Sequence, residues 1–363
     1  MAALRVLSYF VVFGLVSACL FAASEAAETG SFEDWIGQIT AKVNERESAP
    51  EMSGVMGTMG DDDSNSDGAR KLYIVVDKSG KGDFTKIQDA VDSIPKGNNK
   101  RVTIHIMNGY YSEKINVPHD NVYFKCSGKR TILAWGDTAE KAGSTSLSAS
   151  TAVTGDNFLA TDCTFVNTAP APPGGAVGKQ AVAFRIQGDK GAFYRCFFYG
   201  AQDTLYSKEG RHYFRECHII GSIDFIFGDG TAMFHKCKIK SIAFQNSGSI
   251  SAQKRESAES PSGFSFVGCH ISGSGTIYLG RAWGSHSRTV FIRCYMADMI
   301  LPIGWQDWND PARQKTVFYG EYLCSGPGSI RSGRAKWSRE LTKKEAEPFM
   351  TRKFVNGDKW LGW

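Results

Sequence analysis

The sequence predicts an all-β solenoid, a right-handed parallel β-helix with a short N-terminal helix and a C-terminal extension. Three observations lead there. Cysteines recur in a common setting: TDCTFV at 163, YRCFFY at 196, RECHII at 217, HKCKIK at 237, VGCHIS at 269 and IRCYMA at 294. An aromatic residue commonly stands two to four positions before the cysteine, and an apolar residue two positions after it. The intervals are 33, 21, 20, 32 and 25, so a basic period near 21 is lengthened by inserted loops. Each unit is a short alternating strand followed by glycine and polar turn residues, the mark of stacked repeats of roughly 20–25 residues. Leucine-rich repeats share the period but need a regular leucine spacing and an asparagine that are absent. A β-sandwich is the competing architecture; it requires no fixed register between units.

The elements follow in chain order. MAALRVLSYFVVFGLVSACLFAASEAA opens with one arginine, continues apolar to about Phe21 and ends in small residues. This pattern is that of a secretory signal peptide over 1–26; the competing reading is a membrane anchor, for which the apolar run is short. Residues 27–70 carry ten acids against three bases. They hold one weak amphipathic helix, about 32–43, and then MSGVMGTMGDDDSNSDGAR, a polar and glycine-rich stretch expected to be disordered. The folded domain is expected over 71–363. LYIVV (72–76), VTIHIMNG (102–109) and NVYFKCSG (121–128) read as strands, and FTKIQDAVDSI (84–94) as a helix with apolar residues at helical spacing.

Charge and cysteine content narrow the function. The formal net charge of +5 hides an acidic segment of −7, which leaves about +12 on 71–363. A basic domain outside the cell suggests an acidic polysaccharide as partner rather than nucleic acid. Eight cysteines remain beyond the leader, an even number that permits disulfides. No Cys-x-x-Cys pair occurs, and no metal is expected. Phosphate-loop, dinucleotide and Gly-x-Ser-x-Gly motifs are absent, as is any Asn-x-Ser/Thr sequon.

Asp203, in AQDTLY, lies seven residues after Cys196, and Asp224, in IDFIFG, lies seven after Cys217. The two aspartates therefore hold equivalent places in consecutive repeats. In a β-helix such places are about 4.8 Å apart. Two carboxyls so close repel, which favours a proton on one and a charge on the other. The pair then supplies an acid and a base or nucleophile. A solvated turn pair, or a calcium site, is the competing reading; the apolar neighbours Leu205, Phe225, Ile226 and Phe227 count against it. Gln202 and, in GKQAVAFR, Gln180 offer amide donors for a developing oxyanion. In YLGRAWG, Arg281 is placed to hold a carboxylate ionised, and Trp283 to face a sugar ring.

GKQAVAFR, AQDTLY, IDFIFG and LGRAW, in that order, resemble the plant pectin methylesterases (pectinesterases) from about residue 71 to the C-terminus. The resemblance implies a secreted, cell-wall enzyme, a carboxylic ester hydrolase that de-esterifies methylated homogalacturonan. Asp224 would be its nucleophile and Asp203 its general acid and then base. Gln202 and Gln180 would stabilise the tetrahedral anion and bind substrate, Arg281 would hold the nucleophile, and Trp283 would contact sugar. No cofactor is implied. A monomer, free of membrane and nucleic acid and open to a proteinaceous pectinesterase inhibitor, is expected. Three features depart from the family pattern. Ala282 stands where proline is usual, the threonine-rich substrate segment reads GSTSLSAST (143–151) with Thr145 as its match, and APAPPGGAVG (169–178) is an insertion. The large inhibitor-like N-terminal region of many relatives has no counterpart, so this is a short form. The resemblance also implies a Cys217–Cys237 disulfide, with Cys163–Cys196, Cys237–Cys269 or a ladder of free thiols left open. Two other functions compete: a β-helical pectate lyase or galacturonan hydrolase, and a catalytically silent pectin-binding solenoid of the wall.

Overall fold

Each coil lays down three short strands, and successive coils stack on one another in parallel. The computed structural model describes residues 72–172, 175–244 and 248–361; the expected leader (1–26) and acidic segment (27–70) lie outside the described residues. One coil runs Gly191–Tyr194, Phe197–Tyr199 and Leu205–Ser207 before Arg211–Arg215 begins the next. Like strands pair in parallel across coils into one sheet of eleven strands and two of eight. The coils wind right-handed, as parallel crossovers do. We call the eleven-stranded sheet the wide sheet, the one containing Leu205–Ser207 the site sheet, and the one containing Phe197–Tyr199 the third sheet.

The cysteine repeat has a backbone cause. The residue before each cysteine turns the corner from the wide sheet into the third sheet in a left-handed conformation: Asp162 (φ 59°), Arg195 (52°), Glu216 (56°), Lys236 (54°), Gly268 (62°), Arg293 (51°) and Leu323 (49°). A corner of one residue leaves space inside for a small side chain, and Cys196, Cys217, Cys237, Cys269 and Cys294 are all buried there. Three positions before each of these five cysteines stands a phenylalanine. Phe193, Phe214, Phe234, Phe266 and Phe291 form one stacked column, with neighbouring centroids 4.6, 4.8, 4.6 and 4.5 Å apart and planes within 12°. Offset stacking and burial of these rings supply much of the axial cohesion. Two positions after each cysteine, Phe165, Phe198, Ile219, Ile239, Ile271 and Met296 complete the core.

The ends are closed differently. At the first coil the helix Ile87–Asp92 buries Ile87, Ala90 and Val91. It is shorter than the expected 84–94. Phe84 instead bridges to Val76 in extended conformation, and Pro95 disfavours helix just before it. The helix has no cap from its own N-cap side chain. Glu113 takes that role, accepting from the Ile87 and Gln88 N–H groups at 3.1 and 3.0 Å. After the last coil the helix Lys343–Ala346 and the turns that follow run back along the outside of the wide sheet and bring Val355 and Leu361 against Ala192, Tyr213 and Met233, on strands in the middle of that sheet. The outer face of the site sheet carries its own apolar cluster: Ala149, Ala152, Val182, Phe227 and Ala252, with half-buried Tyr206, Trp283 and Trp308.

The disulfide expectation needs correction. Cys217 and Cys237 are free thiols, as are Cys196, Cys269, Cys294 and Cys324; the bridge joins Cys126 to Cys163, with Cα atoms 5.1 Å apart. Register explains the difference. Arg215 pairs with His235 and His218 with Lys238, so Cys217 and Cys237 stand directly over one another with parallel side chains. At about one coil spacing, 4.8 Å, their Cβ atoms are beyond the roughly 3.8 Å that a disulfide wants. Lys125 pairs with Thr161, so Cys126 stands opposite the corner residue Asp162 and one place out of step with Cys163. That offset lets the two side chains converge. Peptide mapping of protein alkylated without reduction should recover Cys126 linked to Cys163 and alkylated Cys217 and Cys237; a Cys217–Cys237 peptide would contradict the register argument.

Candidate active site

Asp203 and Asp224 each occupy a left-handed backbone position, with φ of 65° and 48°. Aspartate tolerates that region better than branched or bulky residues do. Each immediately precedes the run into a strand of the site sheet, Leu205–Ser207 and Ile226–Gly228. Leu205 pairs with Ile226, so the aspartates, two residues earlier, face each other across one coil, about 4.8 Å. The ladder continues through them: the Asp203 N–H donates to the Ile223 carbonyl at 3.0 Å. Both are buried, 8% and 6% exposed. Val182 precedes Asp203 in the same column, and Ser249 follows Asp224.

The two carboxyls have different surroundings. Asp224 is held on three sides. Arg281 Nε donates to Oδ1 at 2.9 Å and Nη2 to Oδ2. The Ser249 hydroxyl donates to Oδ1 and accepts the Asp224 N–H at 3.1 Å. Asp203 receives no side-chain hydrogen bond from a described residue. Its pKa is pushed well above the ordinary value of 3.8, first by burial and then by the charge of Asp224, with Arg281 pulling weakly the other way. For Arg281, burial lowers the pKa, but the hydrogen bonds and charge of Asp224 outweigh it and the net shift is upward. The result is an ion pair beside a carboxyl biased toward its neutral form.

The remaining expected residues lie around this pair. Ala181 N–H donates to the Gln202 carbonyl at 3.0 Å, which sets Gln202 and the Gln180 segment on adjoining coils. Both glutamines are partly exposed, and neither side-chain amide bonds to a described residue. Trp283 stands beside Phe227, centroids 6.1 Å apart, with Lys254 Nζ 4.9 Å over its ring. Thr145 leads into the short 3-10 turn Ser146–Ser148, where its carbonyl accepts the Ser148 hydroxyl at 2.8 Å. The insertion reaches the same rim. Its last residue, Gly178, accepts the Glu140 N–H at 2.9 Å, and the adjoining Lys179 pairs with the Glu140 carboxylate.

Several residues escaped the sequence reading. Ser249 continues the Asp203–Asp224 column by one coil, but a longer connection puts it 25 positions on rather than 21. Extending the repeat through that insertion is the signal that finds it. The Arg281 guanidinium carbon lies over the Trp308 ring, 4.4 Å from the ring centroid. Arg313 Nη1 donates to the Trp283 carbonyl at 2.6 Å and fixes the turn after Arg281. Nothing local in WQDWND or DPARQK announces either contact.

Comparison with known proteins shows what the chain as a whole is similar to. The sequence model described as Pectinesterase matches residues 73–358. Among curated relatives, "Pectinesterase QRT1" of Arabidopsis thaliana is 46% identical over 308 residues, covering 82% of this chain and 80% of its own. "Probable pectinesterase 8" of the same plant is 44% identical, covering 80% of this chain and 76% of its own. Among solved structures, a pectin methylesterase from carrot superposes with a TM-score of 0.74 at 32% identity, over 82% of this chain and 97% of that one. A pectin methylesterase solved in complex with a hexasaccharide superposes with a TM-score of 0.67 at 26% identity, over 78% and 96%.

The raised pKa of Asp203 has a consequence for stability. Between 3.8 and its folded value the native state binds the proton more tightly than the unfolded chain, so stability falls as pH rises through that window. Asp203→Asn removes the titration. Its melting temperature should exceed that of the native protein at neutral pH, and the gap should close on acidification toward 3.8. A gap that widens on acidification would reverse the assignment of the neutral carboxyl.

Proposed function

The chain belongs to the pectinesterase family, and from that premise we propose that it hydrolyses methyl esters of homogalacturonan with Asp224 as nucleophile and Asp203 as general acid and base. The observation that carries this reading is the unequal treatment of two adjacent buried carboxyls, one ion-paired with Arg281 and one pushed toward its protonated form. The enzyme is a carboxylic ester hydrolase by family. The residue roles rest on the geometry described above.

The chemistry follows from the lone pairs. Oδ1 of Asp224 accepts two hydrogen bonds, from Ser249 and Arg281, while Oδ2 accepts one, from Arg281. Oδ2 therefore retains a lone pair and is the attacking oxygen. It bonds to the ester carbonyl carbon, and the carbonyl oxygen becomes an anion. The amides of Gln202 and Gln180, uncommitted to described residues, are suited to donate to it. As the tetrahedral centre collapses, the bond to methoxyl breaks and Asp203 transfers its proton to the departing oxygen, releasing methanol. The acyl group remains on Asp224. Asp203, now a carboxylate, takes a proton from water as that water attacks the acyl carbon. Asp224 leaves as carboxylate and galacturonate is freed. One ester and one water become one acid and one methanol, and both aspartates return to their starting states.

The same reading covers the surroundings. Tyr206, Phe227 and Trp283 line a strip suited to pyranose faces, with Thr145 on its rim. The pectin methylesterase solved with a hexasaccharide supports a pectin oligosaccharide as occupant. We place the catalytic unit at 71–363. The leader-like sequence at 1–26 supports secretion to the wall, and no helix of the described residues is long and apolar enough to cross a membrane. Action as a monomer and control by a proteinaceous inhibitor belong with this reading.

Methanol release from esterified pectin is the test. Asp224→Asn should lower kcat by about a thousandfold or more, the scale of losing a covalent nucleophile; near-native release would remove the proposed role. Ser249→Ala should lower kcat by about ten- to a hundredfold with KM little changed, since one charge-assisted hydrogen bond of roughly 1.5–3 kcal/mol orients Asp224. A rise in KM alone would assign Ser249 to substrate binding instead.

A further inference from the structure

Arg185 is a cation on the outer face of the site sheet with no acid paired to it among the described residues. It lies in the strand Phe184–Ile186 of the site sheet, between two buried neighbours, and so points outward. Its column across the coils reads Ala152, Arg185, Tyr206 and Phe227. One guanidinium nitrogen, Nη1, donates to the Ser146 hydroxyl. Nε is buried and has no acceptor among the described residues. Arg195, Arg211, Arg281 and Arg334 are neutralised by Asp162, Asp189, Asp224 and Glu321, and Arg101, Arg255 and Arg288, which have no ion pair among the described residues, instead donate to backbone carbonyls. Arg185 makes no such ion pair with a described residue, and burial lowers its pKa, the direction expected of an uncompensated charge.

Its place is informative. Phe184 pairs with Leu205, so Arg185 lies one coil before Asp203 and two before Asp224, about 5 and 10 Å along the axis. That is too far to touch the ester under attack and about right for an adjoining unit of the polymer. Tyr206 and Phe227, stacked 4.2 Å apart, lie between it and Trp283 as a platform for sugar rings. The small Ala152 on its other side leaves room. A guanidinium recognises a carboxylate through paired, charge-assisted hydrogen bonds and gains much less from a neutral methyl ester.

We propose that Arg185 is the receptor for the free carboxylate of a galacturonate unit beside the one that reacts, so that the cleft favours chains already partly de-esterified. This rests on the ester-hydrolase reading of Asp203 and Asp224. The product of one turnover then supplies the anion that helps seat the next ester. Activity along a chain becomes self-reinforcing and leaves runs of free acid.

The test compares native protein, Arg185→Gln and Arg185→Lys on two pectins of equal length, one highly esterified and one partly de-esterified. Arg185→Gln should raise KM on the partly de-esterified pectin about tenfold, the scale of one charge-assisted contact. KM on the highly esterified pectin should stay within about twofold, and kcat should hold on both. Arg185→Lys, which keeps the charge without the paired donors, should recover part of the difference. De-esterified oligogalacturonate should inhibit native protein more strongly than Arg185→Gln. Equal KM changes on the two pectins would mean that Arg185 only pins the Ser146 turn, and unchanged KM on both would mean it has no role; either overturns the proposal. Absence of methanol release by the native protein would instead overturn the ester-hydrolase reading beneath it.

Discussion

The paired hydrogen bonds between Arg281 and Asp224 are the contact on which the site depends. A buried carboxylate deprived of its partner costs about 3–5 kcal/mol, so without Arg281 the second buried acid at Asp203 would be hard to tolerate. The solenoid makes the contact possible. Arg281 pairs in register with Ala252, which pairs with Phe227 on the Asp224 coil. The guanidinium thus crosses an intervening coil whose outward residue is alanine, too small to block it. Trp308 covers its face, and Arg313 ties down the turn that follows it. A larger residue at 252 would stand in the path.

From that contact the division of labour follows. Asp224 is oriented by an arginine, a serine and its own backbone N–H, whereas Asp203 meets burial and a neighbouring negative charge. One residue type in two environments yields two functions, because each protonation state is set by what surrounds the carboxyl rather than by the carboxyl itself. Parallel stacking is what brings the two so close. The outer face around them is lined by apolar side chains, which keeps water scarce and each electrostatic interaction strong.

How far this was legible in the sequence can be judged from particular residues. The stacked phenylalanines three before Cys196, Cys217, Cys237, Cys269 and Cys294, the apolar residues two after, and the single left-handed corner residue between explain why the repeat was visible: each coil must meet the same steric demands. The equivalence of Asp203 and Asp224 followed from that period. What escaped depends on insertions or on contacts distant in the chain. Ser249 was obscured by a longer connection, Trp308 and Arg313 touch the LGRAW turn from other coils, and Arg185 sat inside GKQAVAFR without a visible partner. The Cys217–Cys237 expectation came from the family resemblance, and spacing could not correct it, because spacing reports which coil a cysteine is on, not whether it lies before or after a corner. Cys126 and Cys163 lie on opposite sides of that difference.

The most direct measurement of the central claim is a pH titration of the aspartate side-chain carboxyls by carbon-13 NMR, with Asp203→Asn and Asp224→Asn variants to assign the resonances. The account predicts a resonance missing from Asp203→Asn that titrates well above 3.8. Its midpoint should fall in Asp224→Asn, where the neighbouring negative charge is gone. An Asp203 resonance titrating at the ordinary carboxylate value, or one indifferent to the loss of Asp224, would contradict it.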